Sequence, residues 1–451
     1  MKTTDGVDLR AVIAIELGVA LASLDTAIAN TALPAIAADL MASPAASIWV
    51  INAYQLAIVA TLLPLAALGD RIGPRRVFLG GLAFFTLASL ACAFASTLTT
   101  LTLARALQGL GASGVMSVNV ALIRLIFPPT RLGRGVGVNA LVVGFSFALG
   151  PTMASLILAI ASWPWLFAIN VPLGMIALAF ALPALPHTPV RQHRFDWLTA
   201  LLTAISFAAL VLALGAAAQG EPAPVALLAL AAAIVAAALL LWRQRSHPAP
   251  MLPVDLLRRP LFALSAITSM ASFTTQGLAF VALPFYFEAV LHRDPIETGF
   301  LMTPWPIVVA LAAPIAGRLS DRYPPGLLGG VGLLILSAGL MYLGLASSPP
   351  TTASIVVCMA VCGIGFGLFQ APNMKALMSS APPERSGGAS GVIAMARLLG
   401  QTSGAALVAL CFGLAGARGP VLALGLAAGF AALACVTSFA RLWTRTPVDI
   451  P

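Results

Sequence analysis

Charged residues are scarce in this chain. Of its 451 residues, 24 are Lys or Arg and 15 are Asp or Glu, so only 9% of the chain is charged, whereas 60% is hydrophobic. A soluble domain usually carries about 25% charged residues, and so few charges cannot cover the surface of a globule of this length. The composition therefore excludes a soluble globular protein and predicts a protein of the lipid bilayer.

Lysine, histidine and cysteine are also rare, and their positions exclude several kinds of site. The two lysines, Lys2 and Lys375, do not end a glycine-rich phosphate-binding loop, so direct use of ATP is not expected. The four histidines lie in predicted loops without the spacing of a metal site, and the five cysteines lie within apolar runs as expected buried side chains. No constellation of catalytic groups shares one membrane depth. The sequence predicts no metal, no cofactor and no enzymatic activity.

Long apolar runs make up most of the chain, and each is long enough for a membrane helix. A helix needs about 20 apolar residues to cross a bilayer. The predicted fold class is an all-α polytopic membrane protein with fourteen spans. These spans are residues 10–33, 46–68, 76–96, 99–124, 134–160, 163–184, 197–217, 223–242, 261–290, 296–317, 326–345, 352–378, 388–414 and 419–440.

The basic residues alternate between the predicted loops. Cytoplasmic loops of membrane proteins retain Lys and Arg. Nineteen of the 24 basic residues fall in the terminal stretches and in every second loop, whereas the opposite loops hold only Arg293 and Arg418, and three lie within spans. This distribution predicts an even number of spans with both termini in the cytoplasm. It also accounts for the net charge of +9 without a nucleic-acid partner.

Two loop sequences occur twice. Residues 68–73 resemble residues 317–322, and Asp70 and Asp321 in these loops are 251 residues apart. Residues 128–133 resemble residues 382–387 at a separation of 254. Such a repeat predicts two six-helix bundles in parallel orientation, related by a pseudo-two-fold axis, with two extra spans between them. The predicted domains are residues 1–187, 188–259 and 260–451. Parallel halves are a transporter architecture, with a substrate site expected near the bilayer midplane between them.

Four short segments resemble motifs of one transporter family. Residues 24–34 match the first-helix motif of drug antiporters, and the loop around Asp70 matches a cytoplasmic gating motif. Residues 105–111 match the arginine motif of the fourth helix, and Gly150 with Pro151 lies where the antiporter motif of the fifth helix belongs. Over essentially its whole length the chain resembles the major facilitator superfamily, specifically its fourteen-helix drug:proton antiporter branch.

The resemblance implies a multidrug efflux transporter of the bacterial inner membrane. A monomer would export lipophilic compounds, cations foremost, against inward protons by alternating access, with the proton gradient as the energy source. Each proton that moves inward supplies about 2.3 kcal/mol of free energy per 100 mV of membrane potential. The sequence leaves open proton-coupled or uniport transport of one specific small metabolite, because Ser146 and Ala154 stand where the antiporter motif usually has Gly.

The resemblance also assigns residues to the moving parts of such a transporter. The residues that match the gating motif in its two copies are Asp70, Arg71, Gly73 and Arg76, and Gly317, Asp321 and Arg322. The expected helix-packing or hinge residues of the fifth span are Gly144, Gly150 and Pro151.

Asp25 and Arg105 are the most unusual charges within the predicted spans. Asp25 lies about fifteen residues into the first span, where an ionised carboxylate costs about 2.5–3.5 kcal/mol or more on insertion scales. It therefore needs a partner, a water-filled cavity or a proton. Two interpretations of Asp25 are open. Either it binds the coupling proton and, in exchange, a cationic drug, or it is a structural carboxylate tied to a neighbouring helix. The resemblance gives Arg105 a role in proton coupling, with a structural hydrogen-bond hub as the alternative.

Further polar residues recur at helical spacing within the spans. Asn52 with Gln55, Gln370 with Asn373, and Arg397 with Gln401 each share a helix face, so they line a cavity or join neighbouring helices. The candidate substrate-binding residues are Asp25, Asn30, Asn52, Gln55, Gln108, Gln276, Glu288, Gln370 and Asn373. The ninth span adds aromatic residues that either surround an apolar cation or pack in the core, namely Phe273, Phe280, Phe285 and Tyr286.

Two other charges within the spans are expected to serve no transport role. Glu16 in the first span and Lys375 near the inner end of the twelfth lie close enough to the cytoplasmic surface to extend their charged ends toward water.

Overall fold

The computed structural model describes residues 8–128, 131–186, 196–218, 222–245, 256–345, 349–381 and 386–443, and these residues are almost entirely helical. The predicted all-α polytopic fold is therefore confirmed. The helices up to residue 186 are α1 (Leu9–Asp39), α2 (Pro44–Ser47), α3 (Trp49–Ile72), α4 (Pro74–Ala93), α5 (Leu98–Ile126), α6 (Leu132–Ile160), α7 (Pro164–Ala168) and α8 (Asn170–Ala184).

Nine further α-helices follow in the described part of the chain. They are α9 (Trp197–Ala218), α10 (Ala223–Arg245), α11 (Pro260–Phe285), α12 (Pro295–Met302), α13 (Pro304–Leu319), α14 (Pro325–Leu345), α15 (Thr352–Ser380), α16 (Ser386–Ala415) and α17 (Gly419–Ala440). A π-helical turn, Tyr286–Val290, extends α11, and 3₁₀ turns cover Leu256–Arg258, Gly416–Arg418 and Arg441–Trp443.

Twelve stretches within the described residues are long and apolar enough to cross a membrane, so the predicted number of fourteen is not confirmed. Two features of the helices account for the difference. The 52-residue stretch Val392–Trp443 holds both α16 and α17, and the apolar part of α9, Leu201–Ala217, is too short to qualify.

The chain divides into two compact units. The first comprises residues 1–210 with 230–236, and the second comprises residues 211–229 with 237–451, so the division falls within α9 and α10. The predicted boundary after residue 187 lies outside the described residues, and the three-part division into 1–187, 188–259 and 260–451 stays a prediction.

The ends and interiors of the helices satisfy their polar groups locally. Pro74 and Pro260 begin α4 and α11, where the missing N–H of proline would have no helical partner. Within the spans, hydroxyl groups donate to the carbonyl oxygen one turn earlier, as Thr26 does to Ala22 at 3.0 Å. Such bonds remove the cost of an unpaired donor in an apolar environment. All five cysteines are buried and free of disulfides, as predicted.

One glycine contact occurs in both units at the separations of the sequence repeat. A Cβ atom on Gly81 of α4 would lie 2.8 Å from the carbonyl oxygen of Gly111 on α5, and one on Gly332 of α14 would lie 2.5 Å from that of Gly365 on α15. Gly81 and Gly332 are 251 residues apart, and Gly111 and Gly365 are 254 residues apart. The same close helix approach, which only a hydrogen side chain permits, has therefore been kept in both copies. The loops at 128–133 and 382–387, by contrast, lie partly outside the described residues.

Gly150 and Gly144 of α6 differ in their surroundings, although both are predicted packing or hinge positions. A Cβ atom on Gly150 would lie 2.2 Å from the Cβ of Ala27 on α1, whereas one on Gly144 would meet no described atom within 4 Å. A side chain at Gly144 therefore has open space among the described residues. Pro151 lies inside α6 directly after Gly150.

We therefore expect Gly150→Ala to destabilise the protein and Gly144→Ala to leave its stability unchanged. Overpacking of this kind typically costs about 1–3 kcal/mol. Thermal unfolding of the purified variants in detergent provides the measurement, with Gly144→Ala as the matched control on the same helix. Equal unfolding midpoints for the two variants would contradict the close α1–α6 contact.

Candidate functional site

Asp25 lies in the first unit, 1% exposed, and accepts hydrogen bonds from two other helices. Its Oδ2 atom accepts from Nη1 of Arg105 on α5 at 2.5 Å. Its Oδ1 atom accepts from Nε2 of Gln108 on α5 at 2.8 Å and from Nδ2 of Asn170 on α8 at 2.7 Å. The structure thus brings together the two residues that the sequence singled out for proton coupling, and three donors from two helices hydrogen-bond the carboxylate.

Arg105 is equally buried and donates hydrogen bonds within the first unit through its Nη1 and Nε atoms. Its side chain is 1% exposed, its Nη1 also donates to Oε1 of Gln108 at 2.6 Å, and its Nε donates to the carbonyl oxygen of Val50 at 3.1 Å. The guanidinium carbon lies 4.0 Å from the ring centroid of Tyr54 and 5.5 Å from that of Phe167. Aromatic faces at these distances attract a desolvated cation.

The two amides beside Asp25 differ in how fully they are bonded. Gln108 also donates to Oγ of Ser89 at 2.8 Å and accepts from the thiol of Cys92 at 3.4 Å, so neighbours on α4 fix its orientation. The Oδ1 atom of Asn170 is buried without a hydrogen-bond partner among the described residues. Rotation of the Asn170 amide would present this oxygen to a protonated Asp25. The site can therefore accommodate both charge states of the carboxyl group.

Three other candidates of the first unit, Asn30, Asn52 and Gln55, are 4%, 3% and 5% exposed. Their side-chain carbonyl oxygens have no hydrogen-bond partner within the described residues. A buried acceptor of this kind costs about 1–3 kcal/mol unless a water molecule or a ligand donates to it. Their placement is therefore compatible with the cavity-lining interpretation.

The candidate substrate-binding residues of the second unit fall into two groups: three are partly accessible, and one is buried between helices. Gln276 on α11 accepts a hydrogen bond from Nε2 of Gln401 on α16 at 2.8 Å, and both side chains are partly accessible. Gln370 and Glu288 are also partly accessible. Asn373 is 2% exposed and joins helices, because it donates to Oγ of Ser269 at 2.7 Å and accepts from Arg441 at 2.5 Å.

Glu16 and Arg441 correct the expected placement of charges near the membrane surface. The carboxylate of Glu16 does not extend toward water: it is 7% exposed and accepts from Nδ2 of Asn139 on α6 at 3.1 Å. Arg441, which the sequence assigns to the carboxyl-terminal stretch, is 4% exposed and hydrogen-bonds Asn373 and Ser438. Distance from the end of a span therefore did not determine exposure at either position.

The first copy of the gating motif covers the end of α3, the connecting Gly73 and the start of α4. Asp70, Arg71 and Arg76 are exposed there. Gly73 ends α3 with a φ of 98°, a conformation that favours glycine, and its N–H donates to the carbonyl oxygen of Gly69 at 2.9 Å.

The second copy of the gating motif pairs with Lys375, a contact that the sequence analysis did not predict. Asp321 contacts Nζ of Lys375 on α15 at 2.5 Å, whereas Arg322 is exposed. A Cβ atom on Gly317 would lie 4.0 Å from the Cβ of Ala371, an ordinary van der Waals contact. Both members of the pair are substantially exposed, at 69% and 46%. Such a pair contributes at most about 1 kcal/mol to stability.

The aromatic residues of α11 pack in the core of the second unit. Phe273 lies 5.6 Å from Phe366 and Phe280 lies 5.3 Å from Trp305, in both cases edge to face. Phe285 lies 5.0 Å from Phe412 in the same geometry. These contacts favour core packing over direct wrapping of a ligand.

Sequence reasoning missed Asn170 and Tyr54. Asn170 could have been found, because it is the only amide in the predicted span 163–184. Tyr54 carried a weaker signal, its place between Asn52 and Gln55.

Comparisons with known proteins agree with the fold. The family description "Major Facilitator Superfamily" matches residues 15–405 and, separately, 266–449. The chain is 51% identical to "Uncharacterized transporter YebQ" of Escherichia coli strain K12, with 96% of this chain and 95% of that protein aligned. It is 30% identical to "Riboflavin transporter RibZ" of Clostridioides difficile, over 89% and 87% of the two chains.

Two other proteins extend this comparison. Identity is 31% to "Multidrug resistance protein Stp" of Mycobacterium tuberculosis, over 89% of this chain and 75% of that protein. The crystal structure of a bacterial homologue of the human lysosomal transporter Spinster superposes with a TM-score of 0.70 at 14% identity, over 96% of both chains. The chain therefore belongs to the Major Facilitator Superfamily and is a multi-pass bacterial membrane transporter rather than an enzyme.

Proposed function

We propose that this transporter exports lipophilic compounds in exchange for protons by alternating access. The observation that carries the proposal is the ion pair of Asp25 and Arg105, with both side chains 1% exposed inside the membrane-spanning part of the first unit. The similarity to a protein named for multidrug resistance supports efflux as the direction of transport.

Protonation of Asp25 would couple the proton to a structural change. Loss of the negative charge removes the partner of a buried guanidinium, and breaking a buried pair costs about 3–5 kcal/mol. A conformation in which Arg105 gains other partners would then be favoured, so the proton biases one of two states. Inward protons would supply the energy without any further cofactor.

The finer topology belongs to the same proposal. The helices α9, α10, α16 and α17 have 22, 23, 30 and 22 residues, and each reaches the length of about 20 that a membrane span needs. Counting them separately gives fourteen spans, and the distribution of basic residues then puts both termini in the cytoplasm. The transporter would act as a monomer in the bacterial inner membrane.

Proton release from energised inverted membrane vesicles tests the proposed function. A panel of lipophilic cations, neutral compounds and acids is added to vesicles with and without the protein, and the internal pH is followed with a fluorescent dye. We expect several chemically different compounds to release protons only when the protein is present. A panel without any response would contradict proton-coupled efflux.

Transport of one specific metabolite is the second candidate function. The similarity to a protein named as a riboflavin transporter favours it. In the vesicle experiment, a response to riboflavin with none to the rest of the panel would support this candidate over multidrug efflux.

A further inference from the structure

The second unit contains an arginine inside a membrane helix. Arg397 is the twelfth residue of the 30-residue helix α16, about 17 Å along the axis from its first residue. Its side chain is partly accessible, and it makes no hydrogen bond or ion pair with any other residue that the structure describes. Arg105, in the first unit, differs because it is fully buried against Asp25.

The packing of α16 on α11 locates Arg397 within the second unit. A Cβ atom on Gly400 would lie 2.7 Å from the carbonyl oxygen of Met270, and one on Gly404 would lie 2.5 Å from that of Thr274. The two helices therefore run parallel with a constant offset. Arg397 precedes Gly400 by three residues, so it lies near the level of Ser269 and Met270 along the axis of α11.

Other groups at neighbouring levels complete a surface of mixed character. The amide pair Gln276–Gln401 lies about one turn beyond Arg397 and is partly accessible. Met270 is 41% exposed, and behind it Phe273 packs against Phe366 to form an apolar wall. A cation, two amides and an apolar surface thus occur along adjacent faces of α11 and α16.

A guanidinium group at this depth is costly unless it faces a water-filled cavity or a ligand. It offers five N–H donors in a planar fork and no acceptor, which matches a carboxylate or another oxyanion and opposes a cation. Glu288, the single carboxylate of α11 and its π-helical extension, lies eighteen residues beyond Met270, about 27 Å along the axis. It is therefore too distant to pair with Arg397.

We propose that Arg397 and the Gln276–Gln401 pair form an anion-recognition subsite, so that the substrates carry an acidic group on an apolar body. This inference rests on the proposed export function and specifies its substrate class. It replaces the expected preference for cations, because the buried Asp25 already has Arg105 as its counter-ion. Export of an anion is also driven by a membrane potential that is negative inside.

The test uses three probes with the same ring system: 2-naphthoate, 2-naphthamide and 2-naphthyltrimethylammonium. Their binding to the purified full-length protein is measured by quenching of tryptophan fluorescence. We expect 2-naphthoate to bind at least about tenfold more tightly than the amide, which corresponds to one charge-assisted bidentate contact. Arg397→Gln should abolish this preference, and Arg397→Lys should retain part of it.

Arg418→Gln is the matched control, because it removes an exposed arginine from the 3₁₀ turn that follows α16. It should leave the preference for the acid unchanged, and the unfolding midpoint without probe shows whether each variant is folded. A wild-type protein that binds the cation or the amide most tightly would overturn the inference. So would an equal loss of affinity for all three probes in Arg397→Gln.

Proton release with the same probes separates this inference from the proposed function. Binding of 2-naphthoate without proton movement would contradict proton-coupled export and leave the anion subsite standing. Proton movement with the cation alone would contradict the anion subsite and leave the export function standing. A lack of both binding and proton movement would count against both.

Discussion

Asp25→Asn is expected to reduce proton release from inverted vesicles to the level of vesicles that lack the protein. The asparagine side chain has nearly the same size, and its oxygen can still accept hydrogen bonds from Gln108 and Asn170, which lie 2.8 and 2.7 Å from Oδ1 in the wild type. It cannot bind and release a proton. Transport by the variant should therefore lose its coupling to the proton gradient even where the substrate still binds.

Asp39→Asn provides the matched control for this prediction. Asp39 lies on the same helix α1, but its side chain is exposed and accepts a hydrogen bond from Nε1 of Trp163 at 2.6 Å. An asparagine oxygen can accept the same bond, so proton release should be retained. Full proton-coupled transport by Asp25→Asn would show that the carboxylate is structural, as the alternative interpretation of the sequence holds.

The local pattern of the sequence was sufficient to predict most helices and to single out Asp25 and Arg105. Apolar runs of about 20 residues leave few alternatives to a membrane helix. Asp25 and Arg105 are 80 residues apart, yet both are charges deep within spans, where each requires a partner. The cost of an isolated charge in the membrane thus marked both residues, whereas their pairing follows from how α1 and α5 pack.

The rest of the site depends on packing between helices that the sequence does not encode locally. Asn170 is 145 residues from Asp25, and only the position of α8 beside α1 brings its amide to the carboxylate. Glu16 and Lys375 show the same limit. Their depth along a helix was readable, but their partners Asn139 and Asp321 follow from which helix faces meet.

Arg105→Ala is expected to destabilise the protein more than any other single substitution at this site. Removing the guanidinium leaves the carboxylate of Asp25 buried without a counter-ion, which costs about 3–5 kcal/mol. It also empties the space between Tyr54 and Phe167, whose rings lie 4.0 and 5.5 Å from the guanidinium carbon. Thermal unfolding in detergent should show a markedly lower midpoint, together with a loss of proton release.

The double variant Asp25→Asn/Arg105→Gln separates the structural role of the pair from its role in coupling. Neither side chain is then charged. With the asparagine oxygen near the position of Oδ1, its amide nitrogen lies near the position of Oδ2 and can donate to the oxygen of the glutamine amide. Stability should recover substantially relative to Arg105→Ala, because no uncompensated charge is left buried. Proton release should not recover, because no group remains to carry the proton. If the effects of Asp25→Asn and Arg105→Gln on stability are simply additive, the two side chains do not interact as the geometry requires.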